Sequence, residues 1–127
     1  MADWQYFTEN ELRCSGTGDC FMDKNFMKKL IQLREDYDKP MIVSSGYRDI
    51  SYNTAIGGSP NSAHTHGRAV DILVGGEEAY RLLRLAVIHG IRGIGVSQRG
   101  NFKRRFLHLD MMDDSDKHPR PWIWSYK

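Results

Sequence analysis

Two short segments with an apolar residue at every second position, 69–74 and 106–111, place the strongest constraint on how this chain folds. Every second position in them carries an aliphatic side chain or methionine: Val70, Ile72, Val74, Leu107, Leu109 and Met111. Because successive side chains of a strand point to opposite faces, the pattern predicts two strands that each bury one face. If the strands are neighbours, Asp71, His108 and Asp110 project together from the other face.

A long helix is predicted between Asp23, which is a suitable N-cap, and Pro40, which is a suitable stop. Its apolar residues recur at spacings of four, three and four, which is the pattern of one helical face: Phe26, Leu30, Leu33 and Tyr37. We expect this face to pack against the aliphatic side of the strands.

Weaker patterns predict shorter elements in the rest of the chain. Further strands are expected over 41–43 and 94–97, and further helices over 51–56 and 77–90. The second of these helices carries Tyr80, Leu83 and Val87 among its apolar residues. Together the elements predict an α+β fold, a small single domain with a mainly antiparallel sheet and helices packed on one face.

The aromatic segment 122–124 lies near the C-terminal end of the sequence, just after two prolines. We interpret it as an apolar strand or cap that closes the core. The alternative is contact with a glycan, because flat aromatic surfaces suit sugar rings.

The composition is that of an ordinary globular domain. A length of 127 residues and a mass of 14.7 kDa suit one domain over 1–127. The 40% hydrophobic and 27% charged residues exclude the disordered, collagen-like and coiled-coil classes. Every apolar run is far shorter than a bilayer span, so no transmembrane segment is predicted.

The charge balance argues against nucleic acid as a partner. Eighteen Lys and Arg against sixteen Asp and Glu leave a net charge of +2, and a basic cluster over 99–105 is followed by an acidic one over 110–116. We expect both clusters to lie on solvated loops, and we expect the protein to be a monomer.

The first residues lack a signal-peptide pattern, which predicts synthesis in the cytoplasm. In that reducing compartment Cys14 and Cys20 are expected to be free thiols.

The densest chemical signal lies in residues 62–71, where two histidines precede Asp71, with His108 on the other predicted strand. Two neutral imidazoles and one carboxylate leave a fourth position open, which suits a catalytic Zn²⁺ with a water molecule. The alternative is that the histidines are surface residues and that Asp71 serves a turn or a salt bridge.

Five short motifs follow one another along the chain: SSGYR at 44–48, Asn53 with Gly57 and Gly58, SAHTHGRAVD at 62–71, GIGV at 93–96 and FLHLD at 106–110. In this order they resemble the motifs of the M15 zinc peptidases. These are D-alanyl-D-alanine carboxypeptidases and related peptidoglycan peptidases, including phage endolysins. The resemblance runs from about residue 7 to about residue 122 of this chain.

The resemblance implies that His64, Asp71 and His108 are the zinc ligands. It further implies that Arg48 binds substrate and stabilises the developing oxyanion, a task suited to the fixed charge and rigid fork of a guanidinium. We take Ser62 and His66 as further substrate-binding candidates. The implied function is hydrolysis of peptidoglycan stem peptides at the bacterial cell wall, as a D,D-carboxypeptidase or an endopeptidase. The likeness to phage endolysins further implies a lytic enzyme of a phage or prophage.

The sequence departs from the family pattern just before His108. Many members carry an acidic residue or a histidine there as general base, whereas residues 101–107 of this chain contain neither. Asp110 is therefore the first candidate, as a base or as a partner that orients a ligand imidazole, and His66 is the second. The missing base also favours an alternative function: an inactive, zinc-stabilised binding module with the same fold.

Overall fold

The computed structural model describes residues 4–126. Its α-helices are α1 (Glu9–Leu12), α2 (Lys24–Tyr37), α3 (Ile50–Ala55) and α4 (Gly76–Ile88). Its strands are β1 (Ile42–Ser45), β2 (Ala69–Leu73), β3 (Gly93–Ser97), β4 (Phe106–Asp110) and β5 (Trp122–Ser125). Two 3₁₀ turns, Ala63–His66 and Phe102–Arg104, precede β2 and β4.

The five strands form one sheet in the order β1-β2-β4-β3-β5. Every neighbouring pair is antiparallel except β3 and β5, which run parallel. The predicted α+β class with a mainly antiparallel sheet is therefore confirmed. Within residues 4–126, every helix is too short or too polar to cross a membrane. Cys14 and Cys20 are both buried and carry free thiols.

The pairing of β2 with β4 sets the two faces of the sheet. Val70 lies opposite Leu109 and Ile72 opposite Leu107, and all four side chains are at most 1% exposed. Asp71 is the residue between them, and it must point to the other face. The alternation read from the sequence thus places the core on one side of the sheet and leaves the other side to polar groups.

Helix α2 covers the aliphatic face. The Asp23 carboxylate accepts a hydrogen bond from the Phe26 backbone N–H at 2.8 Å and so caps the first turn. The chain leaves the helix at Asp38, which has a left-handed φ of 57°. The predicted stripe is buried as expected: Phe26, Leu30, Leu33 and Tyr37.

Helix α4 forms close to the predicted span, but two of its large apolar residues lie outside the core. Tyr80 is 73% exposed and Val87 is 58% exposed, whereas Ala79, Leu82 and Ala86 are buried. The buried face combines Leu82 with two alanines, which let the helix approach its neighbours closely.

Strand β5 does not close the core as predicted. Trp122 is 56% exposed and Ile123 is 61% exposed. The strand lies at the edge of the sheet and pairs only with β3, so its side chains have a neighbouring strand on one side alone. Its position beside the polar face instead makes it part of a cleft described below.

Alkaline pH should weaken the contact between α2 and α4. The Tyr37 hydroxyl donates to Glu78 at 3.1 Å, and burial together with this bond raises the pKa of Tyr37 to about 12. Unfolded tyrosine titrates near pH 10, so the stabilisation from Tyr37 is complete below about pH 10 and is lost as the pH rises to about 12. In urea titrations the free energy of unfolding of Tyr37→Phe should decline less over this interval than that of the wild type. The exposed Tyr80→Phe is the control, and an equal decline in all three proteins would contradict the assignment.

Candidate metal centre

Adjacent elements deliver three side chains to one point on the polar face of the sheet. The β2–β4 register sets Asp71 directly opposite His108. His64 comes from the 3₁₀ turn that precedes β2, and Gly67 ends that turn with a left-handed φ of 67°. A Cβ at Gly67 would lie 2.0 Å from the Phe21 carbonyl oxygen, so only glycine allows this return of the chain.

The side chains of His64, Asp71 and His108 converge within the protein. The Oδ1 atom of Asp71 lies 3.2 Å from His64 Nε2 and 3.1 Å from His108 Nδ1. One ligand atom from each residue fits within a set no more than 4.8 Å across, and the three residues are 3%, 8% and 5% exposed. A tetrahedral zinc site with bonds of about 2.0–2.2 Å has ligand atoms about 3.3–3.6 Å apart, close to the two short distances.

The outer nitrogen of each imidazole is held by an acceptor. His64 Nδ1 lies 2.8 Å from the Gly46 carbonyl oxygen, and His108 Nε2 lies 2.7 Å from Asp110 Oδ2. Because a carbonyl or carboxylate oxygen can only accept, these nitrogens carry the protons of the neutral rings. In neutral rings the lone pairs of the other nitrogens then face the Asp71 carboxylate, and three acceptors that meet in a buried space are stabilised by a positive charge between them, either a metal ion or a proton on an imidazole.

The charges at the centre support this interpretation. Burial alone would raise the pKa of Asp71, but hydrogen bonds with His108 and His64 hold it well below its usual range. Burial likewise opposes a charge on His108, yet its bonds to Asp110 and Asp71 raise its pKa. The centre therefore holds an ionised carboxylate and favours positive charge beside it.

Asp110 is buried behind His108 and is fully engaged. Arg120 Nε donates to its Oδ1 and Arg120 Nη2 to its Oδ2, each at 2.8 Å. The residue is 0% exposed, and although burial raises its pKa, His108 and Arg120 hold that pKa well below the usual range. A carboxylate with both oxygens occupied and no solvent contact is suited to orienting His108 rather than to taking a proton from the cleft. No periodicity in the sequence marks Arg120 as its partner.

Gly93 of β3 makes room for this ion pair, because it pairs with Asp110 across the ladder. A Cβ at position 93 would lie 2.1 Å from Asp110 Oδ1 and 2.6 Å from Arg120 Nε. Gly93→Ala should therefore displace Asp110 from His108 and weaken zinc binding by about 10- to 100-fold, the usual cost of disturbing a partner of a metal ligand. Competition with a fluorescent chelator measures this affinity, and circular dichroism reports the fold. An unchanged zinc affinity would mean that Asp110 does not orient the ligand.

The three residues open onto a cleft of about 550 Å³. Arg48, Ser62 and His118 lie along its walls, together with aromatic side chains from β5. The Ser62 hydroxyl also accepts from the His64 backbone N–H at 3.2 Å and so starts the 3₁₀ turn. The cleft thus gives a substrate direct access to the centre.

Arg48 is fixed beside the second oxygen of Asp71. Its Nη2 lies 3.7 Å from Asp71 Oδ2, while Nε donates to Ser45 Oγ at 3.1 Å and Nη1 donates to Asn53 Oδ1 at 3.2 Å. Asn53 is itself buried and donates to the Ser59 carbonyl at 2.7 Å. This chain of contacts holds a permanent positive charge at the edge of the cleft.

His66 and His118 differ in their position relative to the cleft. His66 closes the 3₁₀ turn outside the set of residues that line the cleft, and its ring is 6.1 Å from that of His118. His118 lines the cleft, and its Nε2 bonds to the carbonyl oxygen of Asn61. The placement gives no support to His66 as a substrate-binding group. The sequence offered no partner by which His118 could be found.

Comparison with known proteins agrees with this geometry. The family model described as Peptidase M15 matches residues 5–110. The zinc D-Ala-D-Ala carboxypeptidase of Streptomyces albus G is 37% identical over 57 residues, which are 45% of this chain and 22% of that protein. The alignment therefore spans less than a quarter of the curated relative's length. The match over most of the chain shows that the protein belongs to the M15 peptidase family.

Proposed function

We propose that this protein is a zinc-dependent peptidase that hydrolyses the stem peptides of peptidoglycan. The observation that carries the proposal is the convergence of His64, Asp71 and His108, with their acceptor atoms facing one another, at the base of an open cleft. Membership of the M15 family supports peptidase chemistry, and the name of the Streptomyces relative supports zinc and a D-Ala-D-Ala substrate.

The donor set fits zinc. Two imidazoles and one carboxylate are the ligand types of catalytic zinc sites, which keep a further position open. An ion held there would supply a Lewis acid for the scissile carbonyl and an activated water. Asp110 and the Gly46 carbonyl hold the two imidazoles in the orientation that such binding requires.

Arg48 is the group that we assign to the developing negative charge on the substrate. Its guanidinium is already oriented by Ser45 and Asn53, so little reorganisation is needed when the carbonyl oxygen becomes charged. The proximity of Asp71 keeps the guanidinium beside the centre rather than in open solvent. This agrees with the role that the family resemblance implies.

Proton transfer is assigned to His118 in place of Asp110. Among the described residues that line the cleft, His118 is the histidine that is not directed at Asp71. His118→Gln should lower turnover by about 10²- to 10⁴-fold, the usual contribution of general acid–base catalysis, and leave zinc bound. His89→Gln, which changes a histidine paired with Asp36 outside the cleft, is the control. Full activity of His118→Gln would remove this assignment.

Mass spectrometry of muropeptides tests the proposed function. Purified peptidoglycan is incubated with zinc-loaded protein, with chelator-treated protein and with the Asp71→Ala variant. We expect shortened stem peptides only with the zinc-loaded wild type. The masses will show whether the D-Ala-D-Ala bond or the L-Ala-D-Glu bond is cut. Intact muropeptides in all three reactions would contradict the proposal.

A second candidate is a zinc-stabilised binding module without catalysis. The observation in its favour is that both carboxylates lining the described cleft, Asp71 and Asp110, are already engaged by imidazoles or arginine. Such a module would bind zinc and sediment with peptidoglycan but leave every stem peptide intact. The same digestion therefore separates the two candidates.

A further inference from the structure

One face of the edge strand β5 forms an aromatic wall of the cleft. Trp122, Trp124 and the following Tyr126 all line it, as the two-residue alternation of a strand requires. The residues paired with the two tryptophans on β3 are Gly93 and Gly95. Because these glycines have no side chains, no side chain of β3 stands beside the two indoles on this face of the sheet.

Part of this wall belongs to the metal centre. The Trp124 ring lies 5.0 Å from the His108 ring, and a Cβ at Gly95 would lie 2.7 Å from Trp124 Nε1. Tyr126 packs against Phe106, with ring centroids 5.1 Å apart. These contacts account for Trp124 and Tyr126 as packing residues, whereas none of the ring contacts among the described residues involves Trp122.

Trp122 is 56% exposed although it lies on the wall of the cleft. The rest of the lining includes hydroxyl and amide groups, those of Ser59, Asn61 and Ser62. A sugar ring has an apolar C–H face and a rim of hydroxyl and amide groups. A flat indole together with such polar groups therefore matches the surface chemistry of an amino sugar.

We propose that Trp122 is the stacking platform of a subsite for an amino-sugar ring of the glycan strand that carries the stem peptide. The inference rests on the proposed function and extends it from the peptide to the sugar. Trp122 lies two strands away from His108 and two residues further along the ladder, because Trp122 pairs with Gly93 and His108 pairs with Gly95. With strand spacings of about 4.8 Å and a rise of about 3.3 Å per residue, roughly 12 Å separates the two backbones. About four extended residues span that distance, which lets one substrate occupy the metal centre and the platform together.

The test compares a disaccharide-pentapeptide with the same pentapeptide free of sugar. Values of kcat/KM are measured for both substrates with the wild type, Trp122→Ala, Trp122→Phe and Ile123→Ala. Ile123 is 61% exposed and is the next residue of the same strand, but its side chain points to the other face. It is therefore the matched control. Fluorescence titration with the peptide-free disaccharide adds a readout that needs no hydrolysis.

We expect the wild type to prefer the disaccharide-pentapeptide and Trp122→Ala to lose about 10-fold on it, with a much smaller loss on the free peptide. Trp122→Phe should restore most of the preference, and Ile123→Ala should match the wild type. Equal losses on both substrates, or none, would overturn the sugar subsite and leave the peptidase proposal standing. If neither substrate is cut, the peptidase proposal fails. The disaccharide titration then decides the subsite by whether Trp122→Ala weakens binding.

Discussion

Replacing Asp71 with alanine is expected to remove most of the zinc and to reduce hydrolysis by more than the roughly 10- to 100-fold that loss of an outer partner of a ligand causes. Asp71 Oδ1 is the atom that both imidazole nitrogens approach, at 3.2 and 3.1 Å. Without it only two ligands remain, and the buried space no longer holds a negative charge to offset the cation.

Elemental analysis after dialysis gives the zinc content of this variant, and the muropeptide digestion gives its activity. Asp113→Ala is the control, because the Asp113 side chain is 94% exposed and pairs with Arg68, which is not among the residues that line the cleft. Circular dichroism must show that the variant folds, since Arg48 also loses its partner. A folded Asp71→Ala protein that keeps a full equivalent of zinc would move the site elsewhere.

Replacing Asp110 with asparagine is expected to weaken zinc binding by about 10- to 100-fold, and excess zinc should largely restore turnover. The change keeps the shape of the side chain but removes the charge that Arg120 and His108 share. An amide group can also present its NH₂ to His108 Nε2, which would favour the wrong tautomer of the ring.

The opposite outcome would identify Asp110 as the base. In that case turnover would fall by about 10²- to 10⁴-fold while zinc stayed bound, and added zinc would restore nothing. Wild-type zinc affinity together with wild-type turnover would exclude both roles. Comparing zinc affinity with turnover at saturating zinc therefore separates an orienting residue from a proton acceptor.

The part of the site that the sequence predicts well is the part carried by regular strands. The two-residue alternation in 69–74 and 106–111 places Asp71 and His108 on one face, and antiparallel pairing brings them opposite each other. His64 lies in a 3₁₀ turn without such periodicity. Its place depended on the family resemblance, which also separated it from His66.

Arg120 and His118 could not be predicted in the same way. Both lie in the irregular segment between β4 and β5, where side-chain direction follows no repeat. Arg120 reaches Asp110 because Gly93 leaves space for it, and that dependence joins residues from three separate segments. Such a relation becomes visible only when the register of the sheet is known.

The interpretation of the segment 122–124 as a closure of the core was wrong for a physical reason. Apolar composition suggests burial, but it does not tell which face of the sheet a side chain will meet. Strand β5 lies at the edge of the sheet, and Trp122 lines the cleft on the polar face.

We propose that one zinc ion is held by His64 Nε2, Asp71 and His108 Nδ1. Anomalous diffraction at the zinc absorption edge, from crystals of the zinc-loaded protein, tests this ligand set most directly. We expect one strong peak per chain, about 2.0–2.2 Å from those three groups, with His108 bound through Nδ1 and not Nε2. A peak beside Cys14 and Cys20, or the absence of a peak between the three residues, would contradict it.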